Sequence, residues 1–239
     1  MGTSGGDERY AIADESTSGD PVRSRPHDRR PNDPTPGVIT IWSDISCPWA
    51  TLALHTLHQA ATERQAPLRI EHRAFPLELL NRRPTPRPEH DDEVAAITAV
   101  RTDLDWSPWR AEDWTYPVTT VPAMAAVQAA RQQGPDAADA LDTALRRAYF
   151  VQQRCISLLP VIEDVARECA EVDADALVRA LRSGAGLAAV LADLDVARGG
   201  EVRGSPHLWT SDGPFAVNPG VGDVDDFTEY DATWTDRLL

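Results

Sequence analysis

The chain has 239 residues, 42% of them hydrophobic, which suits one large folded domain or two small ones. Acidic residues outnumber basic ones 38 to 23, the formal charge is −15, and with no lysine in the sequence all 23 are arginine. Such acidity argues against nucleic acid or a membrane surface as partner, the lack of lysine excludes Schiff-base chemistry and a Walker-type phosphate loop, and no apolar run reaches the roughly 18 residues of a membrane span.

Residues 1–37 are rich in Gly, Ser, Asp, Arg and Pro and read as a disordered tail, its arginine cluster diluted by Asp20, Asp28 and Asp33. The tail carries no apolar signal-peptide core, and three cysteines without an export signal fit a reducing compartment, so a cytoplasmic location is expected. At Val38 the texture changes. Val38 to Trp42 is a β-branched apolar run suited to a strand buried on both faces. Ser43-Asp44-Ile45-Ser46-Cys47-Pro48 follows, and then Trp49, Ala53, Leu57 and Ala60 recur at helical spacing, with Pro48 in the first turn, where proline suits a helix. Leu68 to Phe75 alternates apolar and charged residues as a second strand, which completes a βαβ unit with an expected right-handed crossover.

From about Pro88 to Gly199 the pattern is helical. Segments are expected over about Pro122 to Gln133 and Ala137 to Gln152, and Leu158, Val161, Ile162, Val165, Ala166 and Cys169 mark one core face. A short helix carries Leu177, Val178 and Leu181, and Leu187, Val190, Leu191 and Leu194 mark another core face. Strand signals return at His207 to Thr210 and Phe215 to Val217 around the turn Ser211-Asp212-Gly213-Pro214, with a terminal helix expected around Asp223 to Leu238.

Cys47 is chemically loaded because it stands at a strand-to-helix junction. Free amides and the helix dipole there stabilise a thiolate, so its pKa is expected below the ordinary value of about 8.5, with Asp44 opposing the shift. Ser205-Pro206 enters a strand directly after the helical block; were that bond cis, its backbone would offer pairing groups to an extended substrate near Cys47. The alternative at each position is a packing residue: a buried thiol, and an ordinary trans proline.

Together these segments resemble the thioredoxin superfamily, in particular its DsbA-like branch, which includes FrnE-type dithiol-disulfide isomerases, over residues 38–217. The resemblance rests on the strand ending in Ser43-Asp44, on Cys47-Pro48-Trp49 opening a helix, on the helical insertion, and on Gly204-Ser205-Pro206-His207 before the hairpin. It implies an α/β thioredoxin-like fold in residues 38–239, with core segments 38–87 and 200–239 and a helical insertion over 88–199. It further implies that Cys47 is the nucleophile and Pro206 a cis-proline, with Pro48, Trp49 and Ser205 beside the substrate. Family members carry a second motif cysteine where this chain has Ala50, so a disulfide within the motif is excluded.

A resolving thiol must then come from solution or from Cys155, which lies in a polar helix junction; Cys169 reads as a packing residue. His207 follows the proline and either assists Cys47, by lowering its pKa or protonating a leaving thiolate, or lines the groove as a neutral ring. His55, about 12 Å along the helix from Cys47, and His58 read as surface or packing residues, and no paired-cysteine spacing supports a metal site. Trp106, Trp109, Trp114 and Tyr116 are read as capping the helical core rather than walling a ligand groove.

The reading that follows is a thiol-dependent oxidoreductase or disulfide isomerase. Its Cys47 thiolate forms a mixed disulfide with a protein or low-molecular-weight thiol, with no covalently bound cofactor. Two alternatives share the scaffold: a glutathione- or mycothiol-dependent transferase or isomerase, and a redox-silent peptide-binding module.

Overall fold

The computed structural model describes residues 37–224 and 227–239; the tail expected over residues 1–37 lies outside them apart from Gly37. In chain order the elements are β1 (Ile39–Ser43), α1 (Pro48–Arg64), β2 (Ile70–Ala74), α2 (Leu77–Leu80), α3 (Arg87–Val100), α4 (Val121–Ala130), α5 (Pro135–Phe150), α6 (Leu159–Arg167), α7 (Ala174–Arg182), α8 (Ala185–Arg198), β3 (His207–Thr210) and β4 (Gly213–Val217). Short 3-10 helices cover Asp113–Thr115 and Ala232–Arg237. The second, six residues long, is all that forms of the terminal helix expected around Asp223 to Leu238 among the described residues; residues 225 and 226 of that stretch lie outside the described set.

The four strands form one sheet in the order β2-β1-β3-β4. β1 runs parallel to β2, pairing Ile39 with Ile70 and Ser43 with Ala74, and antiparallel to β3, pairing Trp42 with His207. This is a thioredoxin-like α/β fold, with α3 to α8 inserted between β2 and β3.

The central strand is buried on both faces, as its unbroken apolar run predicts. Ile39 and Ile41 pack against Ala53, Leu54 and Leu57 of α1, whereas Trp42 packs on the opposite face with Phe75, Ala197, Val202 and Trp209. Proline occupies the first turn of α1, α3, α4, α5 and α6, where it sacrifices no helical hydrogen bond. The largest core cluster lies in the insertion and reaches the sheet at Ala74. A buried ion pair adds to this attachment: Arg73 Nη1 donates to Asp193 on α8 at 2.7 Å, and the Ala74 amide donates to the same carboxylate at 2.9 Å.

The face expected for α8 is half right. Val190 and Leu194 are buried, but Leu187 and Leu191 are 43% and 45% exposed. Small residues govern this helix. Its inward surface includes Gly186, Ala189 and Ala197, and a Cβ on Gly186 would lie 2.1 Å from the Ala125 carbonyl oxygen, so only glycine admits α4 so closely. Leu158, expected on a core face, is likewise exposed.

Trp106 and Trp109 pack on Phe150 and Tyr149, and the Tyr149 hydroxyl hydrogen-bonds that of Tyr116 at 3.2 Å, so these three aromatics cap the helical core. Trp114 departs from that reading at 84% exposed.

Candidate active site

β1 delivers the chain into a turn, Asp44-Ile45-Ser46, that one buried carboxylate holds in shape. Asp44 is 1% exposed. Its Oδ1 accepts the Ser46 amide at 2.9 Å and hydroxyl at 3.0 Å and the Thr120 hydroxyl at 2.8 Å, while Oδ2 accepts the Leu77 amide at 3.0 Å. The Asp44 amide donates to Ser205 Oγ at 2.9 Å, tying this turn to the proline loop.

Arg146 of α5 braces the turn from behind. Its Nη1 donates to the Asp44 and Ile45 carbonyls at 3.1 and 3.3 Å and to the Thr51 hydroxyl at 2.9 Å; its Nη2 donates to Ser43 Oγ at 2.9 Å. Asp142, one turn earlier, balances its charge through a 2.7 Å contact to Nε. Burial works against ionisation of Asp142, but Arg146 and His72 hold its carboxyl below the usual range.

Cys47 occupies the N-cap of α1, 5% exposed, and its thiol donates to the Ser205 carbonyl at 3.0 Å. The Ser205–Pro206 peptide is cis. The expected lowering of the Cys47 pKa is reversed: burial pushes the thiol up to about 11, and the carboxylates of Glu93 and Asp44 add to the rise. Hydrogen bonds with Ser205 and the Ala50 amide oppose it without prevailing. A thiolate here forfeits more hydration than one helix end returns.

Cys47 opens on a groove of about 230 Å³ whose lining includes Trp49, Leu77, Arg83, Glu89, Glu93 and Ser205. The Trp49 side chain lies beside Glu93 and partly offsets the rise of its pKa, and the Trp49 ring meets Phe227 edge-on with centroids 5.0 Å apart. Burial raises the Glu93 carboxyl above its ordinary value, and neighbouring Glu89 adds to the effect. Arg83 reaches both Glu89 oxygens at 3.4 Å.

The structure thus gathers Cys47, Trp49 and Ser205 on one groove, with Pro48 buried in the first turn of α1 and Pro206 buried beside Ser205. His207 stands apart. It is 1% exposed in β3, opposite Trp42, where its Nδ1 accepts the Arg203 amide at 3.2 Å. Burial, with the nearby Arg203 charge, lowers its pKa to about 4, so the ring is neutral at pH 7 and is not the acid that would protonate a leaving thiolate. Cys155 sits half-buried in the turn between α5 and α6 and does not line the groove. All three cysteines are free thiols, and Cys169, in the turn beyond α6, packs against the helical core. Among the described residues no group of three His, Cys, Asp or Glu side chains is placed to hold a metal.

Glu93, Arg146 and Thr120 escape sequence reasoning. Glu93 ends the run Glu89-His90-Asp91-Asp92-Glu93, and nothing within that run separates a groove carboxylate from a solvated one. Arg146 did carry a signal, since Asp142 stands four residues before it on one helical face.

The family model described as a DSBA-like thioredoxin domain matches residues 38–230. No curated protein matches the sequence. Among solved structures, the cytosolic disulfide reductase DsbM from Pseudomonas aeruginosa with GSH aligns at 17% identity and a TM-score of 0.62, over 84% of this chain and 96% of that one. A "probable DsbA oxidoreductase" from Streptomyces coelicolor aligns at 19% identity and a TM-score of 0.60, over 84% and 88%. A 2-hydroxychromene-2-carboxylate isomerase aligns at 17% identity and a TM-score of 0.52, over 76% and 89%. At these identities the likeness is one of fold.

Proposed function

Since the chain belongs to the family of DSBA-like thioredoxin domains, we propose that it is a monothiol thiol–disulfide oxidoreductase in which Cys47 is the nucleophile. One observation carries this reading: the Cys47 thiol is held at the start of α1 against the carbonyl that precedes cis-Pro206, and it opens on a groove. Cys47 sulfur attacks a substrate disulfide, a new S–S bond forms, and the leaving sulfur takes the proton that Cys47 gives up. Ala50 cannot resolve the mixed disulfide. Because Cys155 is not part of the groove lining, an external thiol does so, releasing Cys47 and leaving as the new disulfide.

Because the raised pKa leaves Cys47 as the neutral thiol at pH 7, its proton must leave as the sulfur attacks. The test is turnover of a disulfide substrate with an added low-molecular-weight thiol. The wild type turns over and Cys47→Ser does not; equal rates sink the proposal.

The same protonated thiol favours one second reading, in which a bound glutathione- or mycothiol-like cofactor supplies the nucleophile and Cys47 only lines its site. Conjugation or isomerisation with the thiol balance unchanged, retained in Cys47→Ser, identifies that case.

A further inference from the structure

Charge around the Cys47 groove is one-sided. Glu89 and Glu93 line it, and the Asp44 charge acts on Cys47 as well; among the described residues the lining holds one guanidinium, Arg83, engaged by Glu89. Glu93 has no ion pair among the described residues; its neighbours are the Trp49 indole and the Glu89 carboxylate. Asp44 is satisfied by neutral amides and hydroxyls. Arg146 touches only carbonyls and hydroxyls of this turn, and its charge is met by Asp142. His90, on the same helix as Glu93, is held toward its neutral form by burial. Among the described residues that line the groove, no cation is left over to receive an anionic substituent.

We propose that this groove selects its thiol and disulfide partners by charge, taking those that are uncharged or cationic beside the sulfur and disfavouring anionic ones, with Glu93 as the selecting residue. The inference rests on Cys47 being the nucleophile and narrows its partners. Glutathione disulfide, a net anion at neutral pH, becomes a poor substrate, whereas an uncharged sugar-bearing thiol or an amine-bearing disulfide is a good one. Approach of an anion to one uncompensated carboxylate in a partly desolvated groove is opposed, and approach of a cation is assisted.

Methanethiosulfonates of matched size test this without turnover. Cys47–SH and CH3SO2–S–R give Cys47–S–S–R and methanesulfinic acid, which carries away the proton. Rates at Cys47 are read by peptide mass for the aminoethyl, methyl and sulfonatoethyl reagents, each normalised to its rate with 2-mercaptoethanol. The account expects the normalised aminoethyl rate to exceed the sulfonatoethyl rate by about tenfold or more at low salt, with the gap closing toward about 1 M salt. Glu93→Gln shrinks the ratio several-fold, and Arg83→Gln, which frees Glu89, enlarges it. A merely structural Glu93 slows all three reagents alike. A ratio near unity in the wild type, or one that neither substitution moves, overturns the selection while methyl labelling still upholds the nucleophile. Failure of every reagent to label Cys47 removes the nucleophile and this inference with it.

Discussion

Two effects compete at Cys47, and their sizes decide its chemistry. A helix N-terminus offers partial positive charge, but a 5% exposed thiol between Ser205 and the Glu93 side forfeits hydration, and burial prevails. With a pKa of about 11, roughly one Cys47 in ten thousand is thiolate at pH 7. Its alkylation rate should climb about tenfold per pH unit and level off only near pH 11; a plateau below pH 9 in a mass-spectrometric time course contradicts this. Stability follows with a definite sign. The folded state keeps a proton that the unfolded chain releases above about pH 9, so native stability falls as pH rises from about 9 to 11. Tyr116, Tyr149 and Tyr230 are raised as well, with the same sign, so the comparison that isolates Cys47 is with Cys47→Ser. In urea titrations the wild type should lose about 3 kcal/mol more than the variant across that window. What the sequence displayed at this scale was covalent identity at a motif: Cys47, the missing second cysteine at Ala50, and Ser205-Pro206. The pKa reversal was hidden because burial, its main cause, is imposed by segments distant in the chain: the Ser205 loop against the thiol, and α3, whose Glu93 adds to the rise.

Regular patterns made the elements legible. The alternation in β2, the apolar run of β1 and Pro48 at the head of α1 place strands and helices with small boundary shifts, because each pattern reflects a local period or a local steric rule. Where packing depends on a particular neighbour, the periodicity misleads. The four apolar positions of α8 suggested one core face, yet the close approach at Gly186 turns Leu187 and Leu191 toward solvent. Gly186→Val should therefore cost about 1–3 kcal/mol through forced separation of α8 from α4, seen as a lower urea midpoint; an unchanged midpoint would show that the contact is slack. The brace between α5 and the active-site turn gives a larger effect. Arg146→Ala leaves Asp142 buried without its cation and strips three hydrogen bonds from the carbonyls of Asp44 and Ile45 and from Ser43 Oγ. A loss of about 3–5 kcal/mol is expected, whereas less than about 1 kcal/mol would mean that Asp142 finds another partner in His72.

Across the whole molecule the charge of −15 and the one-sided groove point the same way, toward partners that are not anions. The sheet and helical insertion supply the frame: β1 carries the turn, α1 presents the thiol, β3 brings in Pro206, and α3 closes the groove. The first three were visible as a βαβ unit and a proline loop. The fourth was not, since nothing local announces which helix of an insertion returns to the site. The central claim, a single-thiol cycle at Cys47, is met most directly by intact-mass measurement of the reduced wild-type protein after brief exposure to excess neutral disulfide and acid quench. The account predicts one mixed-disulfide adduct, mapped to Cys47 and removed by added thiol. A mass loss of two hydrogens from a Cys47–Cys155 bond, or adducts on Cys155 or Cys169 with Cys47 free, would contradict it.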